Sequence, residues 1–160
     1  MSVNKDQLHV FVLPEDDANF RLATEFQAQI DFTRQRQMYV LNVANGWIKV
    51  LDIFASVHVR EMRRYPRRFM VLLIDFDGEP NRLQKAKSVI PVDLAERVFV
   101  LGARTEPEAL KAELGPYEQI GEDLAKDCRE QTDETWGRDS LRHNAGELDR
   151  LRQQVRSILF

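Results

Sequence analysis

The chain carries a single cysteine, Cys128, among its 160 residues. It can form no internal disulfide, and no CxxC or Cys/His cluster of the zinc type is present. The three histidines, His9, His58 and His143, do not cluster. No apolar stretch approaches the ~20 residues of a membrane-spanning helix, so no membrane association is expected. Residues 1–7 are polar and hold no signal-peptide core, which makes a cytoplasmic location the expectation. Positive charge is not in excess either. A net charge of −3 excludes a broadly basic protein that coats nucleic acid. It does not exclude an enzyme that reaches phosphates through metal ions. Repeats, low-complexity tracts and long flexible linkers are absent. What remains is 43% hydrophobic and 31% charged, the balance of a globular chain long enough for a real core. We expect one domain over residues 1–160, with a core at about 8–114 and a C-terminal helical extension at about 115–160.

Apolar runs at residues 8–13, 38–43, 69–74 and 98–101 read as four strands. Helical spacing marks residues 18–34, with Phe20, Ala23, Phe26 and Ile30 on one face. It also marks residues 47–62, ended by Pro66. Residues 78–87 form a turn and short helix. Helices follow at 106–114 and 117–129. A polar connector over 131–137 leads to a last helix striped by Leu141, Ala145, Leu148, Leu151, Val155 and Ile158. Strands alternating with helices predict an α/β fold with a four-stranded, mostly parallel sheet flanked by helices. Ligands bind such sheets at the carboxyl ends of the strands. Glu15 follows the first strand, Asp75 and Asp77 the third, and Glu106 and Glu108 the fourth, so all five are expected along one edge.

Asp75-Phe76-Asp77 is the sharpest local signal. It ends an apolar strand and precedes Gly78. Residues i and i+2 of an extended segment point to one side, so two carboxylates would converge. Mg²⁺ or Mn²⁺ takes such hard oxygen ligands together with waters and substrate phosphates. Two metal ions can stabilise the attacking and leaving oxygens of a phosphodiester displacement together. Glu15, Asp75 and Asp77 are candidates for one ion, and Glu106 or Glu108 for a second. Acids near a helix N-terminus are also favoured by the helix dipole alone. Lys85 and Lys87, after the acidic turn, are the nearest candidates for a phosphate-binding cation, with Lys111 and Lys126 less direct.

An acidic residue after the first strand, followed by an apolar strand ending in DxD, resembles the TOPRIM domain over roughly residues 8–101. The family includes domains of topoisomerases, DnaG-type primases, small RNA-maturation nucleases and OLD-type nucleases. The resemblance implies a Rossmann-like parallel sheet. It gives Glu15 a role in acid/base chemistry or metal binding, and makes Asp75 and Asp77 metal ligands. Most members have glycine after the glutamate, where Asp16 stands, and many have an acid at the position of Asn19. The Glu15-Asp16 pair is more similar to divergent, OLD-like bacterial members, and it adds Asp16 as a candidate ligand. The resemblance implies a metal-dependent nuclease acting on DNA or RNA. It also implies a possible ATPase partner and a role in genome maintenance or phage defence. Two alternatives stay open. Asp75-Phe76-Asp77-Gly78 also resembles the first motif of HAD-type phosphatases, although Glu79 stands where Thr or Val is usual. A TOPRIM-fold binding subunit without catalysis is the other.

Arg60, Arg63, Arg64, Arg67 and Arg68 form the densest charge run. It precedes the third strand and is expected at the opposite, amino edge. The apolar end Ile158-Leu159-Phe160 is a candidate docking segment for a partner.

Overall fold

The computed structural model describes residues 3–160. Four strands, β1 (His9–Pro14), β2 (Met38–Val40), β3 (Arg68–Leu73) and β4 (Val98–Leu101), form one sheet in the order β2-β1-β3-β4. Every pairing is parallel. Among the described residues seven α-helices flank it: α1 (Asp17–Gln27), α2 (Trp47–Ile53), α3 (Val59–Arg64), α4 (Asn81–Ser88), α5 (Pro107–Leu114), α6 (Tyr117–Glu130) and α7 (Ala145–Leu159). The α/β fold with an all-parallel sheet is therefore as expected, and it is consistent with a Rossmann-like architecture.

The strands are apolar because both faces are covered. Val10, Val12, Phe69, Val71, Phe99 and Leu101 point to one side. There they meet Leu22 and Ala23 of α1, Leu124 of α6 and Leu151 and Val155 of α7. Leu13, Met70, Leu72, Val98 and Val100 point to the other, against Val50, Leu51, Phe54, Met62 and Ala86. The period-2 alternation thus feeds two separate cores. The last helices are part of the first core, so residues 115–160 form a layer of the sandwich.

β4 is an edge strand, and side chains from the last helical segment take up its free backbone groups. The Val100 N–H donates to Glu147 at 3.0 Å. Asn144 accepts from the Gly102 N–H at 3.1 Å and donates to the Gly102 carbonyl at 3.0 Å. Paired in this way, the edge offers no template to another strand.

Three features differ from expectation. The first helix ends at Gln27, not near residue 34. Asp31 accepts from the Thr33 backbone N–H and hydroxyl, a local turn that competes with helix. The second helical region is interrupted by a π-helical turn over Phe54–His58. The terminal Ile158 and Leu159 are buried, and Phe160 packs edge-on against Phe26 at 6.1 Å. That end docks on its own chain, so it is not a free partner segment. No helix among the described residues is long and apolar enough to cross a membrane.

Candidate functional site

The carboxyl ends of β1 and β3 lie side by side, and the chain continues from each into the site. Beyond β3 the backbone stays extended: the Ile74 N–H donates to the Leu101 carbonyl at 2.9 Å and the Phe76 N–H to Ala103 at 3.0 Å. Asp75 is thus held within a nearly complete ladder and is only 8% exposed. Glu15 leaves β1 beside it, its own N–H on the Leu73 carbonyl at 2.9 Å. Its Oε2 accepts from the Asp75 N–H at 2.6 Å. Glu15 and Asp75, sixty residues apart in sequence, are therefore direct neighbours.

Asp16 is the N-cap of α1 and accepts from the Asn19 N–H at 2.9 Å. The Asn19 side chain, one turn into the helix, faces back to the strand ends. Its Nδ2 donates to Asp16 Oδ1 at 3.1 Å and to Asp75 Oδ1 at 3.0 Å. One amide thereby ties two acidic side chains to a single point.

Asp77 departs from the expected alternation. Its φ is +51°, the left-handed region, and Gly78 follows at +71°. The turn is pinned by the Asp77 N–H on the Thr105 carbonyl at 3.0 Å and the Gly78 N–H on Arg104 at 2.8 Å. Asp75 therefore stays buried against Asn19, while the Asp77 side chain is 66% exposed. The i, i+2 rule fails here because the backbone leaves the extended region before Asp77.

The cation beside these acids is Arg82, which the sequence reading missed. It donates to the Asp75 carbonyl at 2.8 Å and approaches Asp77 at 3.5 Å and Glu79 at 3.3 Å. Its guanidinium lies 4.6 Å from the centre of the Trp47 ring, and Lys85 Nζ lies 5.4 Å from the same ring. Lys85, one turn after Arg82 on α4, thus faces the indole. Lys87 pairs instead with the buried Glu147 at the β4 edge. Lys111 packs on the Tyr117 ring at 5.5 Å. Arg82 sits three residues after Glu79, and that i, i+3 spacing was the available signal.

Electrostatics follow from this crowding. Burial raises Asp75 to about 8, against the Asn19 hydrogen bond, with the charges of Glu15 and Asp16 adding to the rise. Burial also raises Glu15, opposed by the Asp75 N–H and Arg82, with Asp16 and Asp77 adding. Glu106 and Glu108 are exposed at the start of α5. They share the edge, because the Tyr117 phenol, raised first by burial, feels Glu108, Asp16, Asp75 and Glu106 together. Tyr117 is a second residue the sequence reading missed. His143 packs edge-on against Phe76 at 5.0 Å, which brings the last helical segment over the acidic turn.

Comparison with family models, curated proteins and solved structures gives no match.

The site's chemistry therefore rests on its own atoms. Its donors are all hard oxygens, the kind that Mg²⁺ or Mn²⁺ takes. Among the described residues no group of three or more His, Cys, Asp or Glu side chains is arranged to hold a metal ion. The smaller requirement of Mg²⁺ is one or two carboxylates completed by water and substrate phosphate. Glu15 and Asp75 are adjacent carboxylates of that oxygen type, both raised first by burial and then by the charge of their acidic neighbours. His9 and His58 are buried at the amino edge, away from this site. His9 accepts from Arg68 Nε at 3.0 Å.

Proposed function

We propose that the chain is a TOPRIM-like protein of the divergent, OLD-like type, whose carboxyl-edge site acts on nucleic-acid phosphodiesters with Mg²⁺ or Mn²⁺. The observation that carries this reading is the 2.6 Å contact between Glu15 and the Asp75 N–H at adjoining ends of parallel strands. Glu15 and Asp75 would hold the ion, with Asp77 and Asp16 at its margin. When bound, the ion supplies charge neutralisation at the phosphoryl group and a lowered pKa for bound water. Asn19 stands where many TOPRIM members carry an acid, and here its amide orients Asp16 and Asp75. Arg82 lies where a phosphate oxygen beside Asp75 and Asp77 would meet a fixed, forked cation. Lys85 is the outer cation, reaching substrate across Trp47. Glu106 and Glu108 are exposed acids on the same edge and candidates for a second ion. An ATPase partner belongs to the same reading.

A binding role without catalysis is the second reading. It is favoured by the deep burial of Asp75 and by the fact that its oxygen is occupied by Asn19. A HAD-type nucleophile has less support, because a nucleophilic aspartate must be ionised and reachable.

The test is calorimetric titration with Mn²⁺, followed by hydrolysis of single- and double-stranded DNA and RNA. We expect Mn²⁺ binding with proton release, and cleavage reduced on the order of a hundredfold or more in Glu15→Gln and Asp75→Asn. Metal binding without cleavage of any substrate selects the binding role. No metal binding rejects the nuclease.

A further inference from the structure

Arg68 is the one member of the arginine run that turns inward. It opens β3 beside His9, the first residue of β1, and is only 3% exposed. Its Nε donates to His9 Nε2 at 3.0 Å, and His9 Nδ1 is committed in turn to the Gln7 carbonyl at 2.7 Å. The guanidinium carbon lies 3.9 Å from the centre of the Phe11 ring and 4.8 Å from that of Tyr65. The two terminal nitrogens have no partner among the described residues, and neither is sealed from solvent.

More positive charge collects at the same phenol ring. Lys5 Nζ stands 4.6 Å from the Tyr65 ring centre and 3.5 Å from its hydroxyl. The Arg64 guanidinium stands 5.3 Å from that centre. Both side chains are exposed, and neither forms an ion pair among the described residues. Glu61 is the acid whose charge Arg68 feels, yet no ion pair forms between them. Three cations therefore surround one ring without a counter-ion, on a chain whose net charge is −3. A cation taken out of water costs free energy unless it is paired. The cluster is thus short of an anion. A guanidinium offers a fixed fork that matches carboxylate or phosphate oxygens. A phosphate monoester carries about −1.5 to −2 at neutral pH, against −1 for a carboxylate, and is the better match for three cations.

We propose that the amino edge holds a binding site for a phosphate monoester, anchored by the terminal nitrogens of Arg68 and rimmed by Lys5 and Arg64. His9 fixes the guanidinium, and the Phe11 and Tyr65 rings pack against it. The site lies at the opposite end of the strands from Glu15 and Asp75, so its phosphate is not the one the carboxylate site acts on. A small phosphate ester and the 5′ end of a nucleic acid present the same group.

The experiment is calorimetry on the full chain, with a chelator present and at fixed ionic strength. The probes are thymidine 5′-monophosphate, thymidine, and hexathymidylate with and without a 5′-phosphate. Saturable binding of the monophosphate, but not of thymidine, is expected. Tighter binding of the phosphorylated hexamer than of the monophosphate identifies a nucleic-acid end, and equal affinity identifies a small ester. Arg68→Met keeps an unbranched apolar side chain beside the rings and should weaken binding at least about tenfold, the effect of losing charge-assisted hydrogen bonds. Arg64→Ala leaves the buried part untouched and should weaken it about two- to fivefold. Arg129→Ala, exposed on α6, should change nothing. The proposal is overturned if the monophosphate gives no saturable signal, or if thymidine or the 5′-hydroxyl hexamer binds as tightly as its phosphorylated counterpart. It is equally overturned if Arg64→Ala, or a folded Arg68→Met, binds the monophosphate unchanged. None of these results depends on metal binding or cleavage, so they leave the nuclease reading to its own test.

Discussion

The Asp75 carboxyl combines burial with two acidic neighbours, and its protonation state couples the site to the stability of the fold. In the unfolded chain it titrates at its ordinary value of 3.8, in the folded chain at about 8. Below about pH 4 both forms are protonated and the group has no effect. Between those values the unfolded chain has released a proton that the folded chain retains. Stability therefore falls as pH rises through this window and levels off above it. Asp75→Asn keeps an acceptor for Asn19 and removes the charge. We expect the variant to be more stable than the unmodified chain at pH 8, on the order of 1–3 kcal/mol. The two should converge near pH 4, as read from urea unfolding. Glu15 is raised in the same sense, so a shallower slope should persist in the variant. Identical slopes in the two proteins would reject the assignment. If Asp75 holds Mn²⁺ as proposed, added Mn²⁺ should reverse the order at pH 8. Glu15 and Asp75 were legible in the sequence because each directly follows an apolar strand. Arg82 was not, because its role depends on the left-handed turn at Asp77 that folds α4 back over the strand end.

Helix α1 packs closely against α6, and one glycine permits it. A Cβ on Gly121 would stand 2.5 Å from Glu25 Cβ and 2.9 Å from the Phe26 nitrogen. Both neighbours belong to α1, the helix whose first turn presents Asp16 and Asn19. Gly121→Ala gains helix propensity of about 1 kcal/mol but must push α1 aside. The expected net result is destabilisation of about 1–3 kcal/mol, measured as a lower urea midpoint. If the carboxylates bind Mn²⁺ as proposed, displacement of α1 should also weaken that binding, although Gly121 does not touch them. A variant with unchanged midpoint and affinity would show that the helices separate freely. The sequence marked both helices by their apolar stripes, yet it could not mark their contact. Propensity also argues against a glycine inside α6, and only the approach of α1 explains it. The early end of α1 has a similar cause. The stripe runs on to Ile30, but Asp31 offers the backbone a competing turn, and Gln27 donates to the Met38 carbonyl at 2.6 Å. The side chain thus bridges to β2 where the helix stops.

For the molecule as a whole, parallel strands separate charge into two ends. Glu15, Asp75 and Asp77 collect where the strands finish, and most of the arginine run where they begin. Arg63 forms an ion pair with Asp93 at 3.0 Å, just before β4. Arg97 donates to the Arg68 carbonyl at 2.8 Å, and the His9 N–H meets the Arg67 carbonyl at 3.1 Å. Every one of these contacts lies at the amino edge. This division was the most legible global property, because strand order along the chain and parallel pairing are enough to produce it. It leads to a prediction about substrate. Arg60 and Arg64 are exposed on the helical segment that precedes β3, far along the strands from Glu15 and Asp75. If nucleic acid is cut at the carboxyl edge, the double variant Arg60→Ala/Arg64→Ala should keep kcat/KM on a short oligonucleotide within about twofold, because exposed charges beyond a Debye length are screened. On a long duplex the same variant should lose affinity and show a shallower dependence on salt, since each phosphate contact removed reduces the counterions released. Cleavage of the short substrate measured at two salt concentrations separates the cases. A large loss on the short substrate would mean that the arginine end, not the carboxylate end, holds the scissile phosphate.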